Sequence, residues 1–122
     1  MRVIAGKFRG LRLKSIGSTP TNKSLRPTTD RVRENLFNIL AGGKYGNILD
    51  GARVLDMFSG TGILGIEAIS RGASHATLIE KCASTFKLIQ DNIKLTNTVN
   101  EINTINTNVM HLEQCKTEPF NL

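Results

Sequence analysis

Cysteine and histidine are too sparse in this chain to build a metal centre or a disulfide framework. Only Cys82 and Cys115 occur, they form no CxxC pair, and no histidine stands near either at ligand spacing. Both read as reduced thiols, and no metal site is expected. Long apolar runs are missing as well. No stretch approaches the roughly 18 residues of a membrane span, and Met1-Arg2-Val3-Ile4 opens without the extended apolar segment of a secretion signal. The expectation is a soluble, cytoplasmic protein without a membrane partner. No internal repeat links one part of the chain to another.

What is present fits one compact domain: 122 residues, 39% of them hydrophobic, with a formal charge of +6. The positive charge is unevenly spread. Arg2, Lys7, Arg9, Arg12, Lys14, Lys23, Arg26, Arg31 and Arg33 lie before Val54 and meet only Asp30, Glu34 and Asp50 there, while the remainder is mildly acidic. Clustered cations gain affinity for a polyanion by releasing its counterions, so the N-terminal segment is a candidate phosphate-binding surface. A solvated basic face is the alternative.

Two regions follow from the patterning, 1–50 and 51–122. Residues 1–16 alternate Val3, Ile4, Phe8, Leu11 and Leu13 with Arg and Lys, with Gly6 and Gly10 as turn candidates, which predicts a basic β-hairpin. A polar loop over 17–24 leads to a helix capped by Thr29 or Asp30, carrying Val32, Leu36, Phe37 and Leu40 on one face and closed by Gly42-Gly43. From Arg53 strands and helices alternate, the signature of an α/β fold with a parallel sheet. Strands are expected at Val54–Phe58, Ala76–Glu80 and around Ile102–Asn106. Helices are expected from Ile63 to Gly72 and from Ala83 to Leu95, with a short one near Val109–Cys115. Pro119-Phe120-Asn121-Leu122 looks like the opening of a fourth strand.

The chemistry concentrates in Gly60-Thr61-Gly62-Ile63-Leu64-Gly65, a GxGxxG pattern between a strand and a helix. Glycines there let a nucleotide-like cofactor approach the backbone at a helix N-terminus. Glu80 ends the next strand about 20 residues later, where a carboxylate can accept both ribose hydroxyls. These features suit either a dinucleotide or S-adenosylmethionine. Asp56 separates them: it would repel a pyrophosphate at the loop, whereas it would attract the ammonium of the methionine portion. The methyl donor is therefore favoured, and a nicotinamide-dependent oxidoreductase domain stays open as the minority reading. Phe58 lies on the same turn, with core packing as its alternative. Asn108 follows the third strand, where its amide can reach an adenine edge or cap the short helix.

At these residues the chain resembles the RsmD family of class I, Rossmann-like methyltransferases. Leu55-Asp56-Met57-Phe58-Ser59-Gly60-Thr61-Gly62-Ile63-Leu64-Gly65-Ile66-Glu67-Ala68 is similar to the family's cofactor motif. Gly6-Lys7-Phe8-Arg9-Gly10 and the stretch from Arg26 through Arg33 to Asn38 resemble its opening hairpin and lead-in helix. The resemblance implies transfer of a methyl group from S-adenosyl-L-methionine to guanine N2 of small-subunit rRNA, on an assembling ribosomal subunit. It implies Asp56, Gly60 and Gly62 around the methionine, Glu80 on the ribose and Asn108 by the adenine, and Phe58 is counted with these cofactor-binding residues. Arg26 and Arg33 are placed at the RNA, at the pocket, or in pairs with Asp30 and Glu34. Arg9, Arg12, Lys14 and Lys23 are the candidate phosphate contacts. Asp30, Asp50 and Glu67 read as helix, turn and surface charges.

The family's fourth strand ends in an Asp or Asn, two prolines and an aromatic, which supply the acceptors that aim the guanine amine; the sequence reaches Leu122 before any such motif. The chain accordingly reads as a truncated product or fragment with its C-terminal strands missing, and a non-catalytic cofactor- or RNA-binding remnant is the alternative function. In the family strand four lies beside strand one, so strand one is expected to be an uncovered edge through which copies could associate.

Overall fold

The computed structural model describes residues 1–17, 28–114 and 117–122. Helix α1 spans Asp30–Gly42, followed by β1 Arg53–Asp56, α2 Ile63–Ser70, β2 His75–Glu80, α3 Ala83–Thr96, β3 Ile102–Asn106 and a 3-10 turn Val109–His111. The sheet runs β1-β2-β3, with every pair parallel. Parallel neighbours need a crossover, and α2 and α3 supply the two. Both lie on the same face: Gly62, at the start of α2, approaches Ile89 of α3 and Leu78 of β2. Ile66, Ile69, Leu78 and Ile89 have essentially no exposed surface, and each contributes about 1.5–3 kcal/mol by leaving water. The opposite face carries Leu55, Thr77, Ile79, Asn103 and Ile105, which with Leu112 and Phe120 line an apolar trough of about 440 Å³.

Asn121 and Leu122 correct the expectation of a bare β1 edge. Leu55 N donates to Leu122 O (2.9 Å), Leu122 N to Arg53 O (3.3 Å), and Asn121 Oδ1 accepts from Arg53 N (2.8 Å). The first two bonds have the staggered pattern of a parallel pair, so the incoming segment lies beside β1 as a fourth strand would.

The N-terminal hairpin forms, but with one antiparallel bridge, Arg2 to Arg12, in place of two strands. Val3 and Leu13 point into the core at 1% and 5% exposure. The remaining backbone groups are taken up by α2. Ile4 N and Ala5 N donate to the Glu67 carboxylate at 2.8 and 3.0 Å, Lys7 N to Ser70 O at 2.8 Å, and Phe8 N to Ser70 Oγ at 2.9 Å. Glu67 is thus fully buried, against its sequence assignment as a surface charge. It also accepts from Arg71 Nε at 2.7 Å and faces Arg33 Nε at 3.9 Å. A glutamate on a helix with mostly apolar neighbours turns inward here because cations and free amides await it there.

Helix α1 begins where Thr29 Oγ1 accepts from Val32 N. Its inward face also departs from expectation. Val32 and Leu36 are 56% and 41% exposed, whereas Arg33 and Phe37 are buried and Leu40 packs at the margin of the core. The Arg71 guanidinium lies 5.1 Å over the Phe37 ring, joining the two helices.

Gly6 makes this docking possible. Its φ is +82°, and a Cβ there would stand 1.8 Å from Ser70 O. Gly6→Ala is expected to lift the hairpin from α2, lowering the melting temperature and exposing the Ile4 and Ala5 amides to hydrogen exchange, with the sheet amides still protected. Unchanged protection at Ile4 would show that the contact is dispensable.

Candidate functional site

The end of β1 and the start of α2 are joined by a turn whose shape is set by short-range bonds. Asp56 Oδ1 accepts from Phe58 N (3.1 Å), Ser59 Oγ donates to Asp56 O (2.9 Å), and Gly62 N donates to Ser59 O (2.8 Å). Ser59 N reaches across to Ile79 O (3.0 Å), which pins the turn to β2. Gly60 and Gly62 have φ of +53° and +78°, the left-handed region that glycine enters without steric cost. Gly65 serves packing, since a Cβ there would fall 2.3 Å from Leu78 Cδ2. The three glycines of the motif therefore divide between turn conformation and close helix–sheet approach, as a cofactor loop requires. Helix α2 has no side-chain cap at Gly62, leaving its first amides directed at the loop.

Glu80 closes the site from β2. It is 8% exposed, and its carboxylate accepts from Gly60 N (3.0 Å) and Cys82 N (2.8 Å), so it ties the glycine loop to the start of α3. Asp56 stands differently. Its Oδ2 is buried and has no hydrogen-bond partner among the described residues. Burial raises its pKa above the ordinary carboxylate value, and repulsion from Glu80 adds to the rise against the opposing Phe58 amide. A buried carboxylate oxygen without a donor is suited to receive a cation or a donor group.

Phe58 is 77% exposed, so it does not pack into the core of the described residues. Together with Leu36, Leu40, Asp56 and Leu64 it lines a cavity of about 300 Å³ between α1 and the glycine loop. Asn108 caps the 3-10 turn, its Oδ1 accepting from Met110 N at 3.0 Å. The capping alternative is therefore the one observed. It occupies the side-chain oxygen and leaves the amide nitrogen without a partner among the described residues. Cys82, read from the sequence only as a reduced thiol, lies beside Ser84 Oγ (3.1 Å), and its pKa is held down to about 7, chiefly by that contact.

The basic candidates separate into distinct environments. Arg9 and Arg12 are exposed on the hairpin, and so is Arg2. Lys14 is exposed, with its ammonium 3.0 Å from Asp91 Oδ2. Such a solvent-facing pair is weak enough for a phosphate to compete. Arg33 is withdrawn from this group. Its side chain has no exposed surface, and it donates to Arg2 O and to Asp30 Oδ1 (2.9 Å). An enclosed guanidinium cannot meet a phosphate, so of the roles considered for Arg33 the pairing with Asp30 is the one present. Lys23, Arg26 and the second cysteine, Cys115, lie outside the described residues.

The sequence reading also missed Asn92, which is fully buried on α3. Its side chain bonds both backbone groups of Lys14 and the carbonyl of Thr61 in the glycine loop. The available signal was its position beside Ile89 and Ile93, where helical spacing places an amide on the buried face.

The model of the family described as Conserved hypothetical protein 95 matches residues 1–122. Ribosomal RNA small subunit methyltransferase D of Escherichia coli K12 is 39% identical over 122 residues, which are all of this chain and 57% of that protein. The chain spans about half the length of the curated relatives it matches. Among solved structures, yhhF of Escherichia coli, provisionally named a methyltransferase, superposes with a TM-score of 0.72 at 37% identity, covering 90% of this chain and 54% of that one. A hypothetical protein of Thermus thermophilus gives 0.71 at 30% identity, covering 90% and 57%. The parallel sheet with its two crossover helices thus has the Rossmann-like fold of the class I methyltransferases. Among the described residues no helix is long and apolar enough to cross a membrane.

Proposed function

The chain belongs to the RsmD-type family described as Conserved hypothetical protein 95, and from that premise we propose that it forms the cofactor-binding half of an S-adenosylmethionine-dependent rRNA methyltransferase. The observation that carries this reading is the unpartnered, buried Oδ2 of Asp56 at the mouth of the glycine loop. It fits the ammonium of a methionine moiety, and it would repel the pyrophosphate of a dinucleotide. Gly60 and Gly62 allow close approach of the backbone, and Glu80 keeps lone pairs for ribose hydroxyls beyond those it lends to Gly60 N and Cys82 N. The Asn108 amide nitrogen is assigned to the adenine edge, and exposed Phe58 to the wall of the pocket.

When bound, S-adenosyl-L-methionine supplies an electrophilic methyl group on a sulfonium. This chain's residues bind and orient that donor through Asp56 and Glu80. Arg9 and Arg12, with Lys14 and the undescribed Lys23 and Arg26, are assigned to the phosphates of small-subunit rRNA, where they position the RNA without reading its sequence. The substrate atom proposed for the whole protein is the exocyclic N2 of a guanine, on an assembling ribosomal subunit in the cytoplasm. Its poor nucleophilicity calls for fixed acceptor oxygens, and Glu67 and Asp30 are already committed, the first to the hairpin and the second to Arg33.

Calorimetric titration of the 122-residue chain with S-adenosylhomocysteine, with NADH as control, tests the reading. Saturable binding of the former alone is expected. Binding of NADH in preference, or of neither by a folded chain, would overturn it.

A further inference from the structure

Asn92 is a fully buried amide on the inward face of α3, which also buries Thr85, Ile89, Ile93 and Thr96. Burying a primary amide costs free energy unless its donors and acceptor are met. Here they are met from two directions. Oδ1 accepts from Lys14 N at 2.8 Å, while Nδ2 donates to Lys14 O at 3.0 Å and to Thr61 O at 3.2 Å. Lys14 is the last basic residue of the described N-terminal segment, and its backbone has no strand partner among the described residues. Thr61 is the centre of Gly60-Thr61-Gly62, whose flanking glycines take positive φ and do not hold the loop in one shape by themselves. A second, weaker link runs in parallel: Thr61 Oγ1 lies 3.5 Å from Met1 Sδ, and Met1 O accepts from Leu13 N at 2.9 Å.

One planar amide therefore fixes the glycine loop and the basic segment against each other. We propose that Asn92 is a positioning residue that couples cofactor binding at the glycine loop to RNA binding by the basic N-terminal segment. The proposal rests on the reading given under the proposed function. Its physical basis is shared ordering: a ligand that immobilises Thr61 also immobilises Asn92 and Lys14, so the second ligand meets a segment that is already ordered. Thermodynamic reciprocity makes the effect equal in both directions.

The test measures binding of a fluorescently labelled small-subunit rRNA transcript to the whole chain at fixed salt, with and without saturating S-adenosylhomocysteine. In the parent the cofactor product is expected to tighten RNA binding by about 5-fold or more, the lower range of measured allosteric couplings. In Asn92→Ala the ratio is expected to fall to within about 2-fold of unity. Thr96→Val is the control for a merely structural effect. Thr96 is buried on the same helix, and among the described residues its hydroxyl bonds only Asn92 O, Ile93 O and Thr98 Oγ1, so the coupling ratio should survive its loss.

A second measurement needs no variant. S-adenosylhomocysteine should slow hydrogen exchange of the Lys14 amide in the parent chain. Two ligands that bind independently in the parent, a ratio unchanged in Asn92→Ala, a ratio lost equally in Thr96→Val, or an unaltered Lys14 amide would each overturn the coupling while leaving the proposed function intact. Failure of the folded parent to bind either ligand would overturn both.

Discussion

Asp56→Asn is expected to weaken S-adenosylhomocysteine binding by roughly 10- to 100-fold while raising the melting temperature of the free chain. The first effect follows from removing the charge proposed to meet the ammonium, since a hydrogen bond to a charged group contributes about 1.5–3 kcal/mol. The second follows from the cost of keeping that charge without a partner. Oδ2 is buried and unpartnered among the described residues, and burial has already raised the pKa. A neutral amide keeps the acceptor for Phe58 N and drops the repulsion with Glu80, so relief of about 1 kcal/mol would appear as a rise of a few degrees.

The pH dependence has a definite sign. Because the folded-state pKa lies above the ordinary value of 3.8, the carboxyl stabilises the free chain most below that value. This contribution is lost as pH rises through the raised one. Cofactor affinity should move the opposite way across the same window, because only the carboxylate attracts the ammonium. Calorimetry and thermal melts of parent and variant at several pH values check both. Equal affinities for the two proteins at neutral pH would show that Asp56 does not read the ammonium.

Glu67→Ala is expected to cost stability on the scale of about 3–5 kcal/mol. Native domains carry only about 5–15 kcal/mol in total. The loss has several sources at one site. The Ile4 and Ala5 amides lose their acceptor, and the Arg71 and Arg33 guanidiniums lose their counter-charge. Among the described residues Arg33 Nε and one terminal nitrogen find no hydrogen-bond partner in the buried interior, so its burial depends on this carboxylate and on Asp30. Glu67→Gln should be milder, since an amide oxygen can still serve one backbone N–H, but it removes the counter-charge of Arg71 and leaves Arg33 paired with Asp30 alone among the described residues. Urea unfolding monitored by circular dichroism measures the stabilities, and hydrogen exchange at Ile4 and Ala5 locates the damage. An alanine variant within about 1 kcal/mol of the parent would mean that the hairpin and α1 are held by their apolar contacts alone.

Much of the architecture was readable because it is encoded locally. The period-3.6 pattern of Phe86, Ile89 and Ile93 marks α3, Thr29 announces α1, and Ala76, Leu78 and Ile79, with only Thr77 between them, mark β2, which is buried on both faces. The glycine loop and the acid ending the second strand were equally legible. Their spacing is imposed by one βαβ unit, and Glu80 does meet Gly60 N in the structure. Charged residues on helices were read as facing outward, the rule for a chain whose neighbours are unknown. That rule failed at Arg33 and Glu67, and it gave no role to Asn92.

By itself, then, the sequence determined the order of the elements, the parallel sheet, the glycine loop with its two acids, and the basic character of the N-terminal segment. Only the tertiary structure decided which polar residues go inside. Their partners are remote: Glu67 meets Ile4 63 positions away, and Asn92 meets Lys14 78 away. Helical period fixes which side a residue occupies, but the free energy of burying a polar group depends on donors and acceptors that only the folded chain brings within reach.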